Sequence, residues 1–372
     1  MLLSQHIFVT DGIRERTMKL NKIYSAILLR TLPLTPAFAA GLDRSGQSIA
    51  AFLQPGNYAE AGISVLDPTV KGKDLIKNNV SDMAEDYYFP SAAIKVQATE
   101  HISLGLLYDQ PFGADAMYSL EQSMFTNGIE GTKVEVETHN LTALIGYQPT
   151  ENWNFYAGPV YQTVQSTVSL RGLAYGGASK LGSYDINLRE DEAYGWLAGF
   201  AYQIPEIALK TSITYRSEID HKASAREYGQ SNVLAFVGSS PVYDVATDAN
   251  ITTPQSVNLD FQTGIMANTV AFANVRWVNW KDFSIDLKQF GTVADTLGAL
   301  GQTPDNPNGF DIVGYTDDQW SANVGVGRKF NDLWAGNVSV GWDSGAGNPI
   351  STLGPTEGYW NVGLGLQFSP AA

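Results

Sequence analysis

Segments of about ten residues, in which large apolar side chains alternate with small or polar ones, recur along this chain. In the clearest segment, Trp360–Phe368, one face carries tryptophan, valine, leucine and phenylalanine, and the other carries asparagine, glycine and glutamine. Val257–Ile265 and Trp334–Trp342 repeat the pattern. A period of two places the two sets on opposite faces of a β-strand. The chain is therefore expected to fold mostly as strands.

No stretch after residue 39 offers the roughly 18 to 20 consecutive apolar residues that a membrane helix requires, which excludes a helical inner-membrane protein. Strands with one apolar face are typical of a membrane barrel, where that face meets lipid and the other meets the lumen. A soluble β-sandwich also alternates, but it rarely needs tryptophan at so many strand ends. The expected fold class is all-β, a transmembrane antiparallel β-barrel.

Short and long connections alternate between the strands. The short ones are Glu100-His101, Pro149–Asn152, Gln203–Glu206, Ala267-Asn268 and Asn331-Asp332. The long ones are Asp67–Asp86, Gln110–Gly131, Leu170–Glu190, Asp220–Thr252, Gln289–Thr316 and Gly345–Glu357. These connections predict twelve strands. Outer-membrane barrels place short turns in the periplasm and long loops outside, so both termini are expected in the periplasm.

Residues 1–39 are interpreted as a signal peptide, with 1–17 as a possible upstream extension. The basic stretch Met18–Lys22 precedes a largely apolar segment and Ala37-Phe38-Ala39, the order that a secretory signal shows. An N-terminal anchor or a buried helix is the alternative. The net charge of −15 argues against a nucleic-acid partner, and the absence of cysteine removes thiol chemistry and disulfides.

Several short motifs carry a family resemblance. They are Gly41–Ser48, Pro55–Tyr58, Asp109–Asp115, Tyr215–His221, Thr253–Ser256 and Trp277–Trp280. In this order, each at a predicted strand end, they resemble the FadL family of outer-membrane transporters for long-chain fatty acids and hydrophobic compounds.

The resemblance implies a monomeric barrel of fourteen strands that a Gram-negative bacterium inserts in its outer membrane with the barrel-assembly machinery. Lipid and lipopolysaccharide would surround it. A short N-terminal plug, residues 40–56, would close a barrel formed by residues 57–372. The chain stops about where the family's twelfth strand ends, so either twelve strands close or the last hairpin is missing. The implied function is passive uptake of long-chain fatty acids or similar hydrophobic molecules.

Two groups of residues are candidates for ligand binding. Lumen-facing cations would neutralise a fatty carboxylate in this acidic chain, or would pair with lumen acids such as Asp260; they are Lys95, Arg216 and Arg276. Apolar residues of the Gln110–Gly131 loop would form a capture groove, or would pack on one another; they are Phe112, Met117, Tyr118, Leu120 and Phe125.

The plug and the exit route give two further expectations. Ile49, Phe52 and Leu53 form the apolar end of the plug and are expected to pack inside the barrel. Gly105 in the third strand is the candidate for a lateral opening, because a glycine relaxes a strand.

Catalytic, metal and cofactor sites are not expected. The histidines His101, His139 and His221 are far apart along the chain and match neither a Ser-His-Asp arrangement nor a metal site. Two alternatives stay open: a structural or adhesive barrel without transport, and a barrel lipase.

Overall fold

The computed structural model describes residues 5–7, 42–73, 77, 79–120, 124–175, 182–303, 306–347, 353 and 358–369. The first ten strands are β1 (Gln5–Ile7), β2 (Tyr58–Leu66), β3 (Gly72–Lys73), β4 (Asn79–Val80), β5 (Tyr87–Gln97), β6 (Ile102–Asp109), β7 (Gly113–Met117), β8 (Lys133–Tyr147), β9 (Trp153–Leu170) and β10 (Ser183–Ile204). The others are β11 (Leu209–Arg216), β12 (Ile219–Gln230), β13 (Val242–Thr253), β14 (Ser256–Met266), β15 (Thr269–Val278), β16 (Ser284–Asp286), β17 (Val313–Gly314), β18 (Gln319–Lys329), β19 (Trp334–Asp343) and β20 (Tyr359–Phe368). The α-helix is α1 (Lys288–Ala299), and four 3-10 turns are Gly172–Ala174, Pro205–Ile207, Asn232–Val237 and Trp280–Asp282.

Twelve antiparallel wall strands build the sheet, which confirms the expected all-β barrel fold. Five of the wall strands consist of two consecutive strands separated by a short break: β6 with β7, β11 with β12, β13 with β14, β15 with β16, and β17 with β18. Each wall strand from β2 onward pairs with the next. Within the described residues, no ladder joins β20 to β2.

Two belts of aromatic side chains mark the membrane. At the end with the short turns, the ring of Trp153 lies 4.8 Å from that of Tyr202, and Trp334 lies 4.7 Å from Phe368. Eight residues further along the same strands, the second belt contains Tyr161, Tyr194, Trp342 and Trp360. Eight residues of a strand tilted in a barrel wall span a height of about 20 Å, close to the apolar band of outer-membrane barrels.

The alternation reverses above the second belt. Below it, the outward positions of β9 are apolar, as at Phe155 and Tyr161. Above it, Gln165 and Thr167 face outward while Val164 and Val168 are buried inside. β12 follows the same rule, with Ala223 and Ala225 inside and Lys222 and Arg226 outside. The upper wall is therefore a water-facing sheet that encloses an apolar interior.

This reversal corrects three of the expected loops. The Asp220–Thr252 segment contains most of β12 and β13, β10 already begins at Ser183, and β7 lies inside the Gln110–Gly131 segment. The run of outward-facing apolar residues stops at the second aromatic belt. The sequence pattern therefore predicted strand ends there, although the backbone ladders continue above it. β17 also lies inside the expected Gln289–Thr316 connection, and the remaining expected connections match the structure to within two or three residues.

The N-terminal signal segment lies outside the described residues, except for β1, which pairs with Ala61–Ile63 of β2. In the described part of the chain, no helix has both the length and the apolar character needed to cross a bilayer.

Candidate functional site

Two adjoining apolar pockets, here called the chamber, lie inside the upper wall. Their empty space, part of which is open to solvent, measures about 520 Å³ and 370 Å³. Residues lining both are Leu42, Val136, Ser166, Ile251 and Ile285. Among the described residues, no charged side chain lines either pocket. A largely preformed, apolar concavity is what binding sites for small hydrophobic molecules provide.

The roof of the chamber comes from the long connection between β16 and β18. Leu287, the N-cap residue of α1, lines the larger pocket together with Ile312, Val313 and Tyr315. The helix turns Phe290, Val293 and Ala294 into the apolar cluster that contains the chamber lining. The helix therefore packs on the chamber wall, and its N-cap residue reaches the chamber itself.

Trp280 closes one side of the smaller pocket. It is fully buried, its ring centroid lies 5.5 Å from that of Phe112 and 5.0 Å from that of Tyr315, and its indole Nε1 donates to Gln319 at 2.7 Å. It lies in the break between β15 and β16, where the interrupted ladder leaves room for a large ring.

The part of the plug that the structure describes, residues 42–56, lies below the chamber. Ile49, Phe52 and Leu53 are buried in a cluster with side chains of six wall strands, among them Leu107, Leu144 and Leu197. Burial of such side chains is worth about 1.5–3 kcal/mol each. The apolar end of the plug therefore fills the barrel at the level of the membrane.

Two glycines accommodate the ring of Phe52. A Cβ on Gly105 would lie 2.7 Å from Cε2 of Phe52, and one on Gly146 would lie 2.9 Å from its Cζ. Gly105 is paired on both sides, with Lys95 and Leu144, so the ladder is continuous there. In this structure the missing side chain of Gly105 makes room for the plug, and the lateral opening at Gly105 stays a prediction.

Replacing Gly105 by valine should therefore displace Phe52 and loosen the plug, since overpacking of this kind costs about 1–3 kcal/mol. Limited proteolysis of the purified barrel should cleave residues 42–56 faster in this variant. Leu106→Val, on the neighbouring outward position, is the matched control and should leave the rate unchanged. Equal rates in all three proteins would contradict this role for Gly105.

The third wall strand is interrupted further up, at Gln110–Phe112. The β6–β8 and β7–β8 registers differ by one residue across this break, and β5 pairs with β6 only as far as Tyr108. The plug fills the space: Arg44 N donates to Pro111 O at 2.7 Å, and Gly113 N donates to Leu42 O at 2.8 Å. Leu42 lines the chamber as well, so this contact joins the chamber to the break.

A second interruption lies across the barrel. The ladder between β10 and its neighbour stops at Leu188–Ala225 and resumes at Leu197–Arg216. Side chains span it: Asp191 accepts from the backbone N of Lys222 and contacts His221 Nδ1, both at 3.1 Å. Side chains of the wall itself therefore bridge this interruption.

The lumen cations contact the plug. Arg276 Nε donates to Asp43 Oδ2 at 2.7 Å, and its Nη2 donates to Gln47 Oε1 at 3.0 Å. Arg216 donates to the carbonyl oxygen of Gln47, and Lys95 Nζ donates to that of Gln54 at 2.6 Å. All three cations are buried. Lys210, which the sequence analysis did not single out, donates to Leu53 O at 2.9 Å.

The candidate loop residues separate into two groups. Phe112 lines the smaller pocket. Tyr118 packs with Val80 and Met83, and its ring centroid lies 4.9 Å from that of Phe125. Met117 and Leu120 are about half exposed. Only Phe112 of the five lines the chamber, and Tyr118 and Phe125 show the packing within the loop that was the alternative interpretation.

Sequence reasoning missed most of the chamber lining. These residues occupy the apolar positions of segments such as Lys133–Glu137 and Ser183–Arg189, whose charged and polar positions face water. The signal that could have revealed them is a switch within one strand: below the second belt the apolar residues lie on its outer face, and above that belt they lie on its inner face.

Comparisons with known proteins give a consistent result. Residues 34–336 match the family model described as outer membrane protein transport protein, OMPP1/FadL/TodX. The structure resembles the toluene transporter TodX of Pseudomonas putida, with a TM-score of 0.61 and 14% identity over 89% of this chain and 86% of that one. It also resembles a Pseudomonas aeruginosa FadL homologue (TM-score 0.58, 15% identity, 85% and 79% of the two chains). The toluene transporter TbuX of Ralstonia pickettii is similar as well, with a TM-score of 0.53 and 11% identity over 82% of this chain and 83% of that one. No curated protein sequence matches significantly. At these identities the structural likeness shows the fold alone.

Proposed function

Because the chain belongs to the OMPP1/FadL/TodX family of outer-membrane transport proteins, we propose that its chamber binds small uncharged hydrophobic molecules during passive uptake. The family makes the protein a Gram-negative outer-membrane β-barrel that transports hydrophobic compounds, and not an enzyme. The observation that carries the proposal is the chamber lining, which is largely apolar and, in the described part of the chain, has no charged side chain.

The ligand's charge is the finer part of the proposal. A fatty carboxylate in this chamber would lose its hydration without gaining a cation, which is costly. The cations expected to neutralise it, Lys95, Arg216 and Arg276, are engaged with the plug. An uncharged hydrocarbon such as toluene carries no such cost, and the long-chain fatty acid is the weaker candidate.

The exit route proposed here is sideways, at the Gln110–Phe112 break. The break lies just above Tyr108, whose ring faces outward at the level of the upper aromatic belt. A hydrophobic molecule that moves from there into lipid avoids periplasmic water at about 0.8 kcal/mol per methylene. Such a path requires Leu42–Arg44 to move, since these residues now bridge the break.

Filling the chamber tests the proposal. Ser166 lines both pockets, and its neighbour Thr167 is exposed on the outer face of the same strand. Ser166→Trp should lower the affinity for toluene by at least about tenfold, because an indole takes the ligand's space. Thr167→Trp is the matched control and should bind toluene as the wild type does. Binding to the purified barrel is measured by competition with a fluorescent naphthalene probe, and unchanged affinity in Ser166→Trp would refute the site.

The preference for uncharged ligands is tested with decane and decanoate. Proteoliposomes should show saturable uptake of decane, and decanoate at a pH where it is ionised should compete weakly. Competition by decanoate that equals that of decane would favour the fatty-acid interpretation.

A further inference from the structure

A buried carboxylate on the upper wall contacts the roof of the chamber. Glu227 lies on β12, is completely buried, and is paired across the ladder with Ile186, which lines the chamber. Within the part of the chain that the structure describes, no lysine or arginine forms an ion pair with it. Leaving a carboxylate buried without a cation is expensive unless other donors satisfy it.

The donors come from the first turn of α1 and from a neighbouring wall strand. The backbone N of Gln289 donates to Glu227 Oε2 at 3.0 Å, and that of Phe290 donates to the same oxygen at 3.1 Å. The hydroxyl of Tyr184, on β10, donates to it at 2.9 Å. The first N–H groups of a helix have no partner within the helix, and the helix dipole favours a negative charge there.

The helix has no cap of its own that would replace Glu227. Leu287 occupies the N-cap position and makes no side-chain capping hydrogen bond, and the first turn contains no acidic residue. The carboxylate that satisfies this helix end therefore lies on a different element, 62 residues earlier in the chain than Gln289. A contact of this kind joins the helix to the wall instead of stabilising the helix alone.

We propose that Glu227 is the positioning residue that holds α1 closed over the chamber, and that breaking its contacts opens the chamber to the extracellular side. The inference rests on the proposed function only in assuming that the opened chamber admits a ligand. The opening itself is a property of the roof and is measurable without a ligand. Glu227 touches no ligand pocket directly; it acts through the position of α1 and of Leu287, which lines the larger pocket.

The lack of native cysteine allows a direct test of roof opening. Val136→Cys places one thiol in the chamber on β8, away from α1, at a position that is 8% exposed. The rate at which a membrane-impermeant maleimide labels this thiol in intact outer membranes measures access from outside. The test adds Glu227→Gln, Glu227→Ala or Tyr184→Phe to this background, and Asp244→Asn, an exposed acid of neighbouring β13, as the matched control.

Labelling should rise in the order Tyr184→Phe, Glu227→Gln, Glu227→Ala, by about tenfold or more for the last two, because hydrogen bonds to a charged group are lost. Asp244→Asn should label as the parent does. The heat-dependent gel mobility of each barrel shows whether it is folded. Folded Glu227 variants that label at the parent rate would overturn the proposal. The labelling is repeated with toluene present. If the chamber does not bind toluene, toluene would fail to slow the labelling of the thiol, but the order of the labelling rates among the variants would stay the same.

Discussion

Replacing Arg276 by glutamine should release the plug and allow small ions to pass through a barrel whose lumen the plug otherwise blocks. The guanidinium is 3% exposed and pairs with Asp43, which is 6% exposed. Its Nη1 also donates to Asn258 Oδ1 at 2.7 Å. Removing one partner of a buried ion pair typically costs about 3–5 kcal/mol, because the other charge stays buried and unpaired. Moving the first residues of the plug into water avoids that cost.

Single-channel recording in planar bilayers measures the effect. Arg276→Gln should show frequent openings to small ions that the wild type lacks. Arg226→Gln is the matched control: Arg226 also pairs with an aspartate, Asp244, but both side chains are more than half exposed, and such pairs contribute about 0–1 kcal/mol. The double variant Asp43→Asn with Arg276→Gln should conduct less than Arg276→Gln alone, since no charge is left unpaired. A silent Arg276→Gln barrel would show that the ion pair does not hold the plug.

Truncating Trp280 to alanine should cause the largest loss of stability. The side chain is fully buried between Phe112, Phe283 and Tyr315. Large-to-small changes of this kind cost about 3–5 kcal/mol. They also leave the acceptor of the indole N–H, on Gln319, without its partner.

The measurement is the denaturant midpoint of barrels refolded in lipid vesicles, followed by gel mobility. Trp320→Ala is the matched control, because Trp320 faces outward at 49% exposure and its removal leaves no internal cavity. Its midpoint should move by less than half as much. A midpoint of Trp280→Ala that equals that of Trp320→Ala would mean that the upper interior is not a packed core.

The membrane part of the fold could be predicted from the sequence because lipid imposes a simple rule. Outward positions such as Val338 and Leu364 must be apolar, and a run of them is visible without any knowledge of the partner strand. The strand number and the short turns followed from that rule. The strands above the belt could not be predicted in this way. Ala223 and Ala225 alternate with polar or charged residues, and no run of lipid-facing apolar residues marks the strand.

The partners of the cations could not be predicted for a different reason. Arg276 and Asp43 are separated by 233 positions, and only the folded barrel brings them together. The sequence showed that Arg216 and Arg276 face the lumen, but a ligand carboxylate, a wall acid such as Asp260 and a plug residue were equally compatible with that placement. The role of Gly105 was ambiguous in the same way, since a glycine can weaken a strand or can make room for a neighbouring side chain such as Phe52.

The reversed upper wall also decides where a hydrophobic molecule first leaves water. From Tyr161 to the end of β9 at Leu170, the strand rises about 20 Å above the aromatic belt. That height is occupied, around an outer-membrane barrel, by the sugars of lipopolysaccharide, which hold hydrophobic molecules away from the bilayer. The chamber places an oil-like compartment inside this hydrated layer. On the proposed function, a solute would therefore leave water at this height, inside the protein, before it has crossed the sugars.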